Sequence, residues 1–240
     1  MPLKAVLFDM FDTLMLIEKD HEFYAPSLQR MHRYLKGQGV DVPFERFEET
    51  YIRERDRLYA QADQTLEEPH FNVRISETLR SLGYDYPTAS PVVSTATDEF
   101  CEEFMKYVRI DPHIEEALKG LYGKYKLGVV SNFAIPECVL KLLKSGGIDH
   151  FFDLVVVSGA VNKRKPAAEI FQRALAMLGV SAAETVFVGD TMDADIEGAK
   201  AVGMRAVYIE RRLQHSVKAC PDQTIKSLKE LSSALQRCNL

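Results

Sequence analysis

Five short apolar runs, four of which end in a polar residue, constrain the fold of this chain most strongly. They occupy residues 4–9, 126–131, 154–158, 185–190 and 205–209. Apolar residues at helical spacing precede each of the last four runs, over residues 113–124, 136–147, 166–179 and 193–202. Buried strands that alternate with helices are typical of a doubly wound parallel sheet. The pattern predicts an α/β, Rossmann-like core, completed by a short strand near 224–225 and a helix over 226–237.

The sequence pattern of residues 16–108 differs from that of the rest of the chain, because it contains no strand-like apolar runs. Helical spacing covers residues 22–37, 44–63, 70–82 and 92–107, and turn-like residues separate these stretches. We therefore predict two domains. Residues 1–15 and 109–240 form the core, and residues 16–108 form a helical bundle inserted after the first strand.

Composition argues against two classes of partner. The formal net charge is −5 and the Lys and Arg residues are dispersed, which disfavours nucleic acid. No apolar run approaches the ~18 residues of a membrane span, and the N-terminus does not read as a signal peptide. The cysteines form no Cys-x-x-Cys pair, which favours free thiols in a reducing compartment. We expect a cytoplasmic protein, either a monomer or a homodimer.

Polar residues end four of the predicted strands: Asp9, Ser131, Ser158 and Asp190. The carboxyl ends of parallel strands meet at one edge of a sheet, and ligands bind outside that edge. An isolated acid at such a position is usually a helix cap or a surface residue. Two acids, a serine and Lys165 at the expected places favour one shared cleft.

Four short motifs around these positions resemble those of the haloacid dehalogenase superfamily, in that family's order and spacing. They are Phe-Asp-Met-Phe-Asp-Thr-Leu at 8–14, Val-Ser-Asn at 130–132, Lys-Pro at 165–166, and Val-Gly-Asp-Thr-Met-Asp-Ala-Asp at 188–195, which runs into Gly-Ala-Lys-Ala-Val-Gly at 198–203. Each motif is weak alone, and the four together are specific. The inserted bundle matches the family's cap domain in position and size, although no motif identifies it.

The resemblance implies a hydrolase that acts on a small molecule through a covalent bond to Asp9. It also implies Mg²⁺, because a phosphoryl substrate would bring negative charge beside a carboxylate. The implied ligands are Asp9, the backbone carbonyl of Phe11, and Asp190. Asp195 would be a further ligand or an acceptor for a metal-bound water.

Three other residues are implied to contact the substrate. Ser131 would donate a hydrogen bond to a phosphoryl oxygen, and Asn132 is a second binding candidate in the same motif. Lys165 would hold the phosphoryl group and orient Asp9. Asp193 lies nearby, but we expect it to cap the helix that begins there.

Phe11 departs from the family pattern. Most phosphatases of the superfamily carry a second Asp at this position, which protonates the leaving group and then activates water. Such general acid–base help contributes roughly 10²–10⁴-fold in rate, and a phenyl ring supplies none. Asp12 comes one residue later, and the shift leaves open whether its side chain faces the cleft.

Four hypotheses follow from this departure. A phosphatase is favoured, because an unneeded buried acid at Asp190 would be costly and dehalogenases of the family generally lack that acid. A 2-haloacid dehalogenase is the alternative, because those enzymes carry an aromatic residue where Phe11 stands. A phosphonate-cleaving enzyme would need a cap lysine, for which the candidates are Lys19, Lys36 and Lys106. A binding protein that has lost turnover is the fourth.

Substrate specificity is expected to come from the inserted bundle. Arg53 and Arg57 lie four residues apart on one predicted helix face and are candidates for binding a carboxylate or phosphate. A solvated charged face is the simpler interpretation, because acidic residues alternate with them. The same two interpretations apply to His70 and Arg74.

Overall fold

A six-stranded parallel sheet forms the centre of the molecule, as a computed structural model covering residues 2–18, 22–211 and 220–238 describes it. The strand order is β5-β4-β1-β6-β7-β8, with every neighbouring pair parallel. The strands are β1 (Ala5–Phe8), β4 (Lys126–Ser131), β5 (Leu154–Val157), β6 (Thr185–Gly189), β7 (Arg205–Ile209) and β8 (Gln223–Ile225). This topology confirms the predicted fold class.

Helices cover both faces of the sheet. They are α5 (Ile114–Leu121), α6 (Pro136–Ser145), α7 (Ser158–Val161), α8 (Ala168–Leu178), α9 (Gly198–Ala201) and α10 (Leu231–Cys238). Side chains alternate between the faces along β1, as a strand requires. Val6 and Phe8 join one apolar cluster, whereas Ala5 and Leu7 join the other. Burial on both faces explains why the strands read as continuous apolar runs.

Four helices form the segment between the first strand and the rest of the sheet. They are α1 (Tyr24–Gly37), α2 (Phe44–Thr65), α3 (Phe71–Ser81) and α4 (Pro91–Phe104). The side chains of His70 and Ser90 accept the first free backbone N–H groups of α3 and α4, which fixes where these helices begin. The division into domains at 15/16 and 108/109 stays our prediction.

A small antiparallel ribbon corrects the expectation that strands are absent between residues 16 and 108. Strand β2 (Met15–Ile17) pairs with β3 (Val108–Ile110), so that the two ends of the helical segment lie side by side. Strands of three residues are too short to show a period of two, which is why the sequence did not reveal them.

Two further differences concern the chain near the predicted cleft. The helix expected from residue 193 is instead a π-helical turn, Met192–Glu197, followed by α9. Ser158 does not end a strand but opens the short helix α7. Across the described ranges, no helix has the length and apolar character needed to cross a membrane.

Candidate active site

A cavity of about 250 Å³ opens at the carboxyl ends of β1 and β6. The described residues on its wall are Asp9, Phe11, Asp12, Asn132, Lys165, Asp190, Thr191, Ala194 and Asp195. Asp9 directly follows β1 and Asp190 directly follows β6, and these strands are neighbours in the sheet. The parallel pairing continues one residue further, because the backbone N–H of Asp9 donates to the carbonyl of Val188 at 2.9 Å. The two acids therefore meet as the sequence predicted.

Lys165 lies between two of these carboxylates. Its Nζ atom is 2.5 Å from Oδ1 of Asp9 and 2.6 Å from Oδ1 of Asp195. The side chain is 2% exposed, so these contacts are shielded from water. Charge-assisted contacts of this kind fix the orientation of a carboxylate. The predicted contact between Lys165 and Asp9 is present in the structure.

Asp195 is held in place by its own loop as well as by Lys165. Its Oδ2 atom accepts a hydrogen bond from the backbone N–H of Thr191 at 3.0 Å. Gly189 allows this close approach, because a Cβ atom there would lie 2.4 Å from Oδ2 of Asp195. A glycine is therefore required at the end of β6 for steric reasons.

Gly189→Ala is expected to displace Asp195 and to lower the free energy of unfolding by about 1–3 kcal/mol, the usual cost of forcing an extra methyl group into a packed site. Gly37→Ala is the matched control, because nothing lies within 4 Å of its added Cβ atom. Urea unfolding of both variants measures the difference. Equal stabilities for the two variants would contradict the steric role of Gly189.

Negative charge dominates the wall of this cavity. Its described residues include four aspartates and one lysine. The pKa of Asp190 is raised to about 8, chiefly by burial and further by the carboxylates of Asp9, Asp195 and Asp12. Burial also raises the pKa of Asp9, although Lys165 opposes that shift. Both shifts have burial as their largest cause, and the closely spaced carboxylates add to it.

The acids also have the spacing of a cation site. One oxygen from each of Asp9, Asp190 and Asp195 can be chosen so that the three lie within 4.8 Å of one another. All three side chains are buried. Carboxylate oxygens are the ligands that hard divalent cations prefer.

Phe11 lies on the cavity wall beside other aromatic rings. Its ring centroid is 4.8 Å from that of Phe133 and 5.7 Å from that of Phe104. Asp12 also lines the cavity, which answers the question that its sequence position left open. It has φ +55°, and its Oδ1 atom accepts the backbone N–H of Ile17 at 3.2 Å. Asp12 thus lies in the cavity wall, close enough for its charge to raise the pKa of Asp190, and it stabilises the turn after β1.

The two serines at strand ends have different surroundings. Ser131 is fully buried at the end of β4, and its hydroxyl has no hydrogen-bond partner among the described residues, although it does not line the cavity. Ser158 is engaged elsewhere: its hydroxyl donates to a carboxylate oxygen of Glu68 and accepts the N–H of Phe133 at 2.8 Å. Ser158 therefore links β5 to the loop before α3 and is no part of the cleft.

Asn132 contacts the backbone of Lys165 with both ends of its side-chain amide. Its Oδ1 atom accepts the Lys165 N–H at 2.7 Å, and its Nδ2 atom donates to the Lys165 carbonyl at 2.9 Å. The sequence suggested contact with the substrate and did not indicate this clamp, because the two residues are 33 positions apart.

Arg53 and Arg57 line neither this cavity nor a neighbouring cavity of about 400 Å³ between the helical segment and the core. Their side chains are largely exposed and pair with Glu54, at 3.7 Å and 2.9 Å. This placement matches the solvated charged face that the sequence also allowed. Arg74 instead points inward and is 7% exposed.

The lysines proposed for a phosphonate-cleaving enzyme give no support to that hypothesis. Lys36 and Lys106 line neither of the two cavities, and Lys106 pairs with Glu103 at 2.7 Å. Lys19 lies outside the described residues.

Comparison with known proteins identifies the family. Residues 3–203 match the model of the haloacid dehalogenase-like hydrolases. The glyceraldehyde 3-phosphate phosphatase of Methanopyrus kandleri is 31% identical over 216 residues, which cover 87% of this chain and 84% of that protein. The phosphoserine phosphatase of Thermus thermophilus is 35% identical over 137 residues, which cover 55% of each chain. The chain therefore belongs to the haloacid dehalogenase-like hydrolase family.

Solved structures agree with this assignment. The 2-haloacid dehalogenase of Pseudomonas syringae superposes with a TM-score of 0.76 at 24% identity, covering 98% of this chain and 99% of that one. A haloacid dehalogenase superfamily phosphatase of Thermococcus onnurineus superposes with a TM-score of 0.65 at 26% identity, covering 99% of this chain and all of that one. At 24% identity, the first likeness speaks for the fold and not for the reaction.

Proposed function

We propose that this protein is a magnesium-dependent phosphatase of a small phosphorylated metabolite, and that it acts in the cytoplasm. The observation that carries the proposal is a carboxylate, Asp9, held by a buried lysine at the edge of a cavity rich in further carboxylates. The curated relatives named above are phosphatases of phosphorylated metabolites, which supports the same reaction class.

The chain's own residues suggest the following steps. An oxygen of Asp9 attacks the phosphorus atom, the bond from phosphorus to the leaving oxygen breaks, and the leaving group departs as an anion that takes a proton from water. Water then attacks the phosphorus of the aspartyl phosphate, releasing inorganic phosphate and restoring the Asp9 carboxylate. Lys165 holds Asp9 in position throughout and offers a positive charge to the phosphoryl oxygens.

Mg²⁺ fits the donor set of this cavity. Asp9 and Asp190 would hold it together with the carbonyl of Phe11. Asp195, already ion-paired with Lys165 and hydrogen-bonded to the N–H of Thr191, would be an indirect or additional ligand. When bound, the ion neutralises charge on the phosphoryl group beside these acids. Ser131 would donate to a phosphoryl oxygen after a small shift, since its buried hydroxyl has no partner among the described residues.

The lack of an acid at Phe11 bears on substrate choice. A phenyl ring cannot protonate the leaving group, and Asp12 is the nearest carboxylate along the chain that lines the cavity. We therefore expect better turnover with leaving groups that depart readily as anions, such as p-nitrophenolate or a carboxylate.

Product release with three substrates tests the proposed reaction. Phosphate release from p-nitrophenyl phosphate and acetyl phosphate is measured with Mg²⁺ and with EDTA, and chloride release from 2-chloropropionate is measured in parallel. We expect phosphate release that requires the metal. Chloride release that persists in EDTA would instead support the dehalogenase alternative, which Phe11 favours. If none of the three substrates released product while Mg²⁺ binding was measurable, the hypothesis of a binding protein would be supported.

Mg²⁺ should also stabilise the folded protein, because it binds a site that unfolding destroys. At a concentration 100 times its Kd, a ligand adds about 2.7 kcal/mol to the free energy of unfolding. Thermal unfolding with Mg²⁺ and with EDTA measures this effect in the native protein and in Asp190→Asn. We expect the variant to lose most of the response to Mg²⁺. An undiminished response in Asp190→Asn would mean that Asp190 is not a ligand of the metal.

A further inference from the structure

A second cavity, of about 400 Å³, lies between the helical segment and the core. We call it the aromatic cavity, because six rings from the described part of the chain line it: Phe23, Tyr24, Tyr59, Phe71, Phe100 and Phe133. Asn132 lines both this cavity and the one that contains Asp9, so the two adjoin. A molecule with its phosphoryl group at Asp9 would place the rest of its structure here. The size suits a ring with a short side chain.

Arg74 is the buried cation of the aromatic cavity. Its Nη1 atom donates to the hydroxyl of Tyr51 at 3.2 Å and approaches the hydroxyl of Tyr24 at 3.5 Å. Its Nε atom is buried and has no hydrogen-bond partner among the residues that the structure describes. The rings of Tyr59 and Phe71 lie 4.9 Å and 5.1 Å from the guanidinium carbon. Within the described residues, no carboxylate forms an ion pair with it at 4.0 Å or less.

Without a bound ligand, the burial of Arg74 lowers the free energy of unfolding. A guanidinium stays charged at any ordinary pH, and burying a charge without a counter-ion disfavours folding. Phenol hydroxyls and ring faces compensate only part of that cost. A structural arginine would be expected to pair with an acid, as the largely buried Arg211 does with Asp111. An anion supplied by the substrate would complete the site.

Among the described residues, the two acids of the aromatic cavity do not act as the counter-ion of Arg74. The carboxylate of Glu68 is bonded to the hydroxyl of Ser158, and Asp63 is exposed to solvent. Arg164, which also lines the cavity, adds a second positive charge. With Asp63 and Glu68, the formal charges of the described lining cancel, so the cavity suits a singly charged carboxylate better than a doubly charged phosphate.

We propose that Arg74 binds a carboxylate on the organic part of the substrate, and that the substrate class is the phosphate ester of a hydroxy acid with an aromatic or bulky apolar body. This inference rests on the proposed phosphatase function and adds the identity of the leaving group. The rings of the aromatic cavity bury the apolar body, and the guanidinium of Arg74, which lines the cavity, donates to the carboxylate.

The test compares each acid with its own methyl ester. The substrates are the phosphate esters of 4-hydroxybenzoate, 4-hydroxyphenylacetate and 3-(4-hydroxyphenyl)propanoate, which place the carboxylate at three distances. We expect at least one acid to exceed its methyl ester in kcat/KM by about tenfold or more. Arg74→Gln should lower that ratio by about 10- to 100-fold, the effect of losing one charged hydrogen bond. Arg74→Lys should retain part of the preference.

Arg80→Gln is the matched control. Arg80 lies on the same helix, is exposed and pairs with Glu77 at 2.5 Å, so its loss should leave the ratio of acid to ester unchanged. Acid-to-ester ratios near one in the native protein, or a ratio that survives in Arg74→Gln, would overturn the proposal. A higher kcat/KM for the bisphosphate of 2-(4-hydroxyphenyl)ethanol than for any of the acids would mean that the cavity binds a phosphate group and not a carboxylate. That result would also overturn the proposal.

A binding measurement separates this inference from the proposed function. Isothermal titration of 3-(4-hydroxyphenyl)propanoate and 4-hydroxyphenylacetate into the native protein and into Arg74→Gln requires no turnover. Arg74-dependent binding without hydrolysis of any ester would retain the carboxylate site and reject the phosphatase. Hydrolysis of the esters without any preference for the acids would reject the carboxylate site and retain the phosphatase.

Discussion

Asp9→Asn is expected to reduce phosphate release by at least about 10³-fold, because the amide cannot act as the attacking oxygen and residual activity would rest on binding alone. The substitution keeps the shape of the side chain, and Lys165 keeps its contact with Asp195. The fold should therefore survive. Steady-state phosphate release from p-nitrophenyl phosphate with Mg²⁺ measures the loss, and thermal unfolding confirms that the variant is folded.

Asp193→Asn is the control for Asp9→Asn. Asp193 lies in the π-helical turn with Asp195, but its side chain is exposed and accepts the N–H of Ala194 at 2.8 Å. Asp193→Asn should keep activity close to that of the native protein. Similar losses in the two variants would mean that general damage to the site, and not the loss of a nucleophile, explains the effect of Asp9→Asn.

Lys165→Met is expected to affect both stability and activity. The side chain bridges Asp9 and Asp195 at 2.5 Å and 2.6 Å, and its removal leaves two buried carboxylates without their cation. Breaking a buried ion pair in this way costs about 3–5 kcal/mol. Urea unfolding in EDTA measures the change in the free energy of unfolding, and phosphate release measures the loss of activity.

Lys200→Met supplies the matched comparison. Lys200 pairs with Asp222 at 2.9 Å, but both side chains are about one-third exposed. A solvent-exposed pair contributes about 0–1 kcal/mol, so the control should be nearly as stable as the native protein. If Lys165→Met were equally stable and still hydrolysed phosphate esters, Lys165 would have no role in organising Asp9.

There is a physical reason why the sequence predicted the sheet and the position of Asp9 and Asp190 at the carboxyl ends of its strands. Buried parallel strands must be apolar along their whole length, so β1, β4 and β6 could be recognised individually. Their carboxyl ends are constrained to meet, so the neighbourhood of Asp9 and Asp190 followed from topology alone. The family match confirms the predicted class of hydrolase.

Contacts between distant parts of the chain could not be predicted in the same way. Nothing in the local pattern around Asn132 indicates that its amide binds the backbone at Lys165. Arg74 and Arg57 are both arginines on amphipathic helices, and only the packing of α2 against α3 determines which one is buried. The ribbon of β2 and β3 depends on pairing between segments about 90 residues apart, and each strand is too short to be recognised alone.

Chemical trapping at Asp9 shows whether this aspartate is the nucleophile. The native protein is incubated with p-nitrophenyl phosphate and Mg²⁺, quenched in acid and treated with borohydride, which reduces an aspartyl phosphate to homoserine. Mass spectrometry of the peptide that contains residue 9 then locates the product. We predict homoserine at position 9 only when substrate was present, and none in Asp9→Asn. Sustained phosphate release with an unmodified Asp9, or with homoserine at another aspartate, would contradict the account.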